Sequence, residues 1–300
     1  MISRGQPAAA LEPDFFRTLH FLSHPLFTSR NGMRHHRPIV ALLTDFGSGE
    51  HYVGTVKAVM LSINPSLQIV DITHDVEPQN VRQASYLLWA SYRYFPACTI
   101  FACVVDPGVG SSRRILGVQT KRYSFIAPDN GLLDLVLSTE PESRAYKIDD
   151  ARVGKRSFFL ERISSTFHAR DIFAPVAAHL SRGVKLSSIG NPAHLGRISQ
   201  VFLSAATAGT RGSILHIDRF GNIITNIAGD DEQFLSENVK GILMGGKRVS
   251  RWIRNYAEGP PNTPCMIIGS SGLVEIVVKN GNAARAMGVN ASTPFRILGK

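Results

Sequence analysis

The feature that most restricts what this chain can fold into is an alternation that begins at Pro38: a short apolar run, a loop, an amphipathic segment, then an apolar run again. Ile39-Val40-Ala41-Leu42-Leu43 has the length of a buried strand. Gly47 and Gly49 break it, and apolar residues at 53, 56, 59, 60 and 63 then recur at helical spacing. Leu67 to Ile72 repeats the strand. Pro78 suits a first helical turn, and the segment behind it places Val81, Ala84, Leu88 and Tyr92 on one face. Cys98 to Val105 supplies a third strand. Strands separated by helices pair in parallel, because a parallel connection must cross over the sheet. The expected fold class is therefore α/β, with a largely parallel sheet in an N-terminal domain.

Beyond about Leu195 the texture changes. Short β-rich runs, Gly212 to Ile217, Ile223 to Ile227, Gly241 to Met244, Met266 to Ile268 and Leu273 to Val278, are separated by Gly, Pro and Asn. They predict a second, mainly antiparallel domain. The expected boundaries are an α/β domain over residues 38–190 and a β domain over 195–300. Between them, Asp171 to Arg182 reads as a helix despite Pro175, with Gly183 just past its end, and Pro107-Gly108-Val109-Gly110 and Pro128-Asp129-Asn130-Gly131 read as loops. Residues 1–37 differ from the rest: Arg4, Arg17, Arg30, Arg34 and Arg37 face only Glu12 and Asp14. They read as an extension, disordered or arising from a misassigned start with Met33 as an alternative first residue, in preference to the targeting peptide that their acid-poor, Arg-containing bias also suggests.

Charge and cysteine use narrow the function classes. Lys, Arg, Asp or Glu interrupts every hydrophobic segment well short of the roughly 20 residues that cross a bilayer, so no membrane association is expected. The net charge of +10 is scattered. Its densest stretch, Lys247 to Tyr256, interleaves bases with aromatics as single-strand binders do. A solvated hairpin with Trp252 turned inward is the favoured reading of it, and no nucleic-acid partner is expected. Cys98, Cys103 and Cys265 have no metal-ligand spacing and fit a reducing, cytoplasmic setting.

The chemistry-bearing residues follow from the alternation. Asp45 follows the first strand, Asp75 the second, and Asp106 ends the third. Ligands of open α/β sheets bind at the carboxyl ends of the strands, so three carboxylates are expected at one crevice. One aspartate alone would be read as a helix cap. Gly47-Ser48-Gly49 lacks the third glycine of a dinucleotide fingerprint, Gly108 to Ser112 lacks the P-loop lysine, and there is no GxSxG elbow or HExxH pair. Asp75 and Arg82 bracket a strand-to-helix loop, where the guanidinium can fold back onto the carboxylate. His168 stands just before a helix. A metal-dependent phosphohydrolase with Asp45, Asp75 and Asp106 as ligands is a rival reading, and a non-catalytic nucleoside sensor is another.

Six segments in order, Leu43-Thr44-Asp45-Phe46-Gly47, Ile72-Thr73-His74-Asp75-Val76, Val105 to Gly110, Ala127 to Leu132, Phe167-His168-Ala169-Arg170-Asp171 and Ile217 to Asn222, resemble the S-adenosylmethionine hydroxide adenosyltransferase family. That family is related to the fluorinating and chlorinating enzymes. The resemblance runs from about Pro38 to the C-terminus. It implies that the second domain is a small β-barrel and that the protein is a homotrimer with sites at subunit interfaces. It also implies hydrolysis of S-adenosylmethionine to adenosine and methionine, with S-adenosylmethionine as substrate and no further cofactor or metal. The family's water-handling residues fall on Asp75, Arg82 and His168, and its ribose carboxylate on Asp45. Asp106 joins them among the expected substrate contacts, and those from the second domain fall on Asp218, Phe220 and Asn222, with Ser270, Ser271 and Glu275 further along. Ala169 stands where many members have Gly, and Asn80 where Asp is common. A guanidinium on the Asp75 carboxylate would weaken it as a base, which leaves His168 as the expected proton acceptor.

Overall fold

The computed structural model describes residues 37–148, 158–196, 202–203, 209–229, 235 and 239–299. The expected extension, apart from Arg37, lies outside them. The chain separates into two compact units, with the second unit's sheet-forming part starting at Phe202.

The first unit holds a seven-stranded mixed sheet. Its strands are β1 (Ile39–Thr44), β2 (Gln68–Thr73), β3 (Ile100–Val104), β4 (Ile115–Gln119), β5 (Ser124–Pro128), β6 (Arg144–Ile148) and β7 (Gly190–Ala193), in spatial order β2-β1-β3-β5-β4-β6-β7. The pairs β1 with β2 and β1 with β3 are parallel, as the alternation predicts, and β3 pairs with β5 in parallel as well. Strands β4, β6 and β7 extend the sheet in antiparallel pairing. The sequence pattern assigns no element to these three stretches, and β7 carries the sheet past residue 190. The chain steps from β1 to β2 on one side, then back across β1 to β3, so the order reverses between β1 and β3. A crevice at such a reversal is where α/β sheets hold ligands.

The helices that cover this sheet are α1 (His51–Ile63), α2 (Val81–Ser91), the short α3 (Asp134–Leu137), α4 (Ala174–Ser181) and the short α5 (Leu186–Ile189). Val56 and Met60 of α1 and Ala84 and Leu88 of α2 are buried, which accounts for their spacing. Asn80 caps α2, accepting from the Gln83 N–H at 3.0 Å; an Asp there would have done the same. A π turn, Ala169–Phe173, leads into α4, and Pro175 sits in the first turn of α4, where its missing N–H breaks no bond.

The second unit is a seven-stranded antiparallel sheet: β8 (Arg211–Ile217), β9 (Ile223–Ala228), β10 (Gly241–Met244), β11 (Lys247–Val249), β12 (Cys265–Ile268), β13 (Leu273–Val277) and β14 (Pro294–Leu298), in order β11-β10-β14-β8-β9-β13-β12. The chain running on from β11 hydrogen-bonds β12, with Met266 N–H to Arg251 O at 2.7 Å and Ile253 N–H to Met266 O at 2.9 Å. That bridge joins the two edges and makes the sheet barrel-like, which removes exposed ladder groups. The basic stretch is a hairpin, β10–β11, followed by Trp252, which packs on the barrel core and donates from Nε1 to Val239 O at 3.1 Å. A short helix, α6 (Ala283–Met287), lies in this unit too. No described helix is long and apolar enough to cross a membrane.

Candidate active site

The three strand-end loops of the first unit are tied to one another. Parallel register pairs Thr44 with Val104, so Asp45 and Asp106 stand one and two residues past the paired ends of β1 and β3. Gly47 takes a left-handed φ of +76° and donates its N–H to His74 O at 2.8 Å, which lashes the β1 loop to the end of β2. A side chain there would strain this turn. Beside it, Ser48 Oγ donates to the Asp75 carboxylate, 3.0 Å from Oδ1 and 3.1 Å from Oδ2. The Asp75 N–H is in turn held by Thr73 Oγ1 at 3.1 Å. Asp45 Oδ2 accepts the Gln79 N–H at 2.8 Å, and Gln79 is held at φ +65°, uncommon for a residue with a Cβ.

The segment bearing His168 is packed against the same loops. Phe167 lies edge-on to Phe46 at 6.0 Å and to Tyr52 at 5.3 Å between ring centroids. Gly110, at φ +78°, approaches so closely that a Cβ on it would stand 2.3 Å from Ser165 O. Behind this contact, Asp171 is fully buried and anchors the π turn: Arg170 Nε reaches Oδ1 at 2.6 Å and the Ser164 N–H reaches Oδ2 at 2.8 Å. Burial pushes the Asp171 carboxyl up, but these bonds and the charge of Arg170 outweigh it and hold the group ionised below its ordinary range. Removing Arg170 would leave the buried Asp171 carboxylate held only by the Ser164 N–H, a destabilising loss.

A second polar chain crosses from β3 to His168. Arg113 Nε lies 2.9 Å from both oxygens of Asp106, and its Nη2 bridges Asp106 Oδ2 and His168 Nδ1, the latter at 2.8 Å. Burial, with the facing Arg113 charge, lowers the His168 pKa, while Asp106 and Asp171 oppose the shift. The imidazole is thereby kept neutral near pH 7.

In the second unit, Asp218 closes a turn on itself. Its Oδ1 accepts the N–H groups of Phe220 at 2.9 Å and Asn222 at 2.8 Å, and its Oδ2 accepts from Asn222 Nδ2 at 2.9 Å. The turn presents Phe220 with its ring 75% exposed, an unusual state for so apolar a side chain. Glu275, on β13, is only 8% exposed. Burial and the nearby Asp218 charge push its carboxyl up to about 7. Tyr256 is also raised, by burial and by the charges of Glu275 and Asp218. Ser270 is exposed, and the Ser271 hydroxyl is buried without a hydrogen-bond partner.

The chain matches two family profiles: the SAM hydroxide adenosyltransferase N-terminal domain over residues 40–190 and the C-terminal domain over residues 212–296. The chain belongs to the SAM hydroxide adenosyltransferase family. It is 36% identical over 265 residues to an (R)-S-adenosyl-L-methionine hydrolase of Thermus thermophilus, a match spanning 87% of this chain and all of that one (100%). It is 30% identical over 223 residues to a fluorinase of Actinopolyspora mzabensis, covering 65% of this chain and 73% of the fluorinase. The crystal structure of an uncharacterized conserved protein from Thermotoga maritima superposes with a TM-score of 0.77 at 35% identity, covering 86% and 99% of the two chains.

Asp45, Asp75, Asp106 and His168 all belong to the tied loops of the first unit, and Asp218 and Glu275 interact in the second. The expected fold-back of Arg82 onto Asp75 does not form among the described residues: Arg82 opens α2 and is exposed, while the Asp75 carboxylate takes the Ser48 hydroxyl instead. The three aspartates do not form a ligand cage either. Asp106 is paired with Arg113, and no three of the described His, Cys, Asp and Glu residues are grouped to hold a metal ion. Sequence reasoning passed over Ser48 and Arg113. Ser48 sits between two glycines read only as turn formers, and the side-chain partners of Arg113, in the run Ser111-Ser112-Arg113-Arg114, are set by tertiary packing.

Proposed function

We propose that this chain hydrolyses S-adenosyl-L-methionine by attack of water at ribose C5′, giving adenosine and L-methionine. The observation that carries the reading is the match of both family domains in order, together with full-length likeness to a relative named as a hydrolase of this compound.

The reaction suits the site. The leaving group departs from a cationic sulfonium as a neutral thioether, so it needs no acid. What the protein must supply is a water molecule held in line with the C5′–S bond and a base to take its proton. Alignment alone is worth about 7–11 kcal/mol in well-oriented systems. Asp75, exposed at the strand end and steadied by Ser48, forms the water-handling group together with Arg82 and His168. Asp45 grips the ribose. One of its oxygens is oriented by Gln79, and both keep lone pairs for the vicinal hydroxyls. Asp218, Phe220, Asn222, Ser270, Ser271 and Glu275 are the remaining substrate-binding residues: Phe220 offers a face to the base, and the neighbouring carboxylates of Asp218 and Glu275 favour the cationic groups of the substrate. The working unit is a cytoplasmic homotrimer with sites at subunit interfaces, and S-adenosylmethionine is its only small-molecule requirement.

Incubating the purified protein with S-adenosylmethionine in ¹⁸O-water, with and without chloride, tests the reading. Adenosine carrying ¹⁸O at C5′ is expected in both. A chlorinated nucleoside, or no adenosine, refutes it. Asp75→Asn is expected to lower kcat by about 10²–10⁴-fold, the range of a lost general base; an unchanged kcat removes Asp75 from the scheme.

A further inference from the structure

The bridge between Asp106, Arg113 and His168 fixes more than a position. Its members are well shielded, with the Arg113 and Asp106 side chains 12% and 5% exposed. A guanidinium carries only donors and stays charged throughout the physiological range. Arg113 Nη2, 2.8 Å from His168 Nδ1, must therefore donate, and Nδ1 must accept. A neutral imidazole that accepts at Nδ1 carries its proton on Nε2. An imidazolium would turn an N–H toward the arginine and set two cations against each other. The charged groups facing His168 are Arg113, Asp106 and Asp171, and Asp171 is already neutralised by Arg170.

We propose that Arg113, anchored by Asp106, is a positioning residue that locks His168 as the neutral tautomer with its proton on Nε2, so that His168 donates to the attacking water and Asp75 takes the proton. The inference rests on the hydrolase reading of this site. It reverses the division of labour expected when His168 was considered without its neighbours, and it assigns Asp106 to Arg113 rather than to the substrate. A water that accepts from Nε2–H and donates to Asp75 keeps one lone pair for C5′. As its oxygen bonds to C5′, the C5′–S pair moves onto sulfur, one water proton passes to the Asp75 carboxylate, and the Nε2 proton stays on the ring. Lysine could not replace Arg113 fully, because the bridge uses Nε on one carboxylate and Nη2 on both partners.

Long-range ¹H–¹⁵N spectra of histidine-labelled enzyme at neutral pH, with His168 assigned from His168→Ala, read the tautomer without substrate. Nε2–H is expected; Nδ1–H or an imidazolium overturns the proposal even if adenosine is formed, and leaves the hydrolase reading standing. Failure to form adenosine with Nε2–H observed sinks the hydrolase reading, and the roles in water attack with it, and leaves only the tautomer assignment standing. Arg113→Met is expected to raise the His168 pKa, move the acid limb of the kcat profile upward and lower kcat by about 10²-fold, the scale of one lost site donor, with adenosine affinity within about twofold. Arg113→Lys recovers part of kcat. A purely structural arginine would lower stability and leave the tautomer and the pH profile where they are, which also overturns the proposal. Asp106→Asn is expected to lower kcat and spare adenosine affinity; loss of affinity at constant kcat would return Asp106 to the substrate.

Discussion

Replacing Glu275 by Gln removes an acid whose carboxyl is pushed up to about 7 by burial and by the charge of Asp218. In the unfolded chain the same group titrates near 4.5. Between those values the folded protein holds a proton that the unfolded chain has released, so rising pH favours unfolding. The penalty is absent well below 4.5, grows through the interval and is complete above 7. At ~1.36 kcal/mol per pH unit the ceiling is about 3 kcal/mol, of which about a quarter is present at pH 5 and nearly all at pH 8. Gln keeps the shape and cannot ionise. Glu275→Gln is therefore expected to gain on the wild type by roughly 2–3 kcal/mol between pH 5 and pH 8, whatever its fixed offset. Scanning calorimetry of both proteins across that range makes the measurement. A stability difference that does not change with pH, or one that shrinks as pH rises, refutes the placement of Glu275 as a buried acid facing Asp218.

Three further outcomes are expected. Asp45→Ala should weaken adenosine by about 10–100-fold, the scale of hydrogen bonds to a charged acceptor; calorimetry showing unchanged affinity would detach Asp45 from the ribose. Because a cation placed beside Glu275 favours its ionised form, S-adenosylmethionine should bind tighter as pH rises through about 7 while neutral adenosine does not, and titrations at pH 6 and 8 that give equal ratios for both ligands contradict this. Gly110→Ala puts a methyl group 2.3 Å from Ser165 O at a left-handed φ, so it should cost at least ~1–2 kcal/mol and loosen the His168 segment. Normal stability with normal kcat would show that this approach is not needed.

Much of the fold was legible because it rests on local periodicity. Val56 and Met60 in α1, and Ala84 and Leu88 in α2, announce their buried face by spacing alone, and five strands of the second unit stand out between their turn residues. Strands β4, β5, β6 and β7 did not, because short strands next to Pro- and Gly-rich loops look like those loops until a neighbour pairs with them. Tyr146 and Lys147 of β6, for instance, gain their role by lying between Gly117 and Leu116 on one side and Pro192 and Asn191 on the other.

What the sequence determined by itself was an α/β domain followed by a β domain, the family, and the aspartates after the first three strands, since chain order and periodicity place a residue at a strand end whatever packs around it. Which partner each carboxylate takes was decided only in three dimensions. Asp75 lies seven residues from Arg82 in the chain yet holds Ser48, and Asp106 is paired with Arg113, which in turn reaches across 55 residues to His168. Side-chain reach and loop closure settle such pairings, and neither is written in spacing. The proton on His168 follows from that last contact: a histidine read alone is a base, and the same histidine accepting from an arginine is a donor.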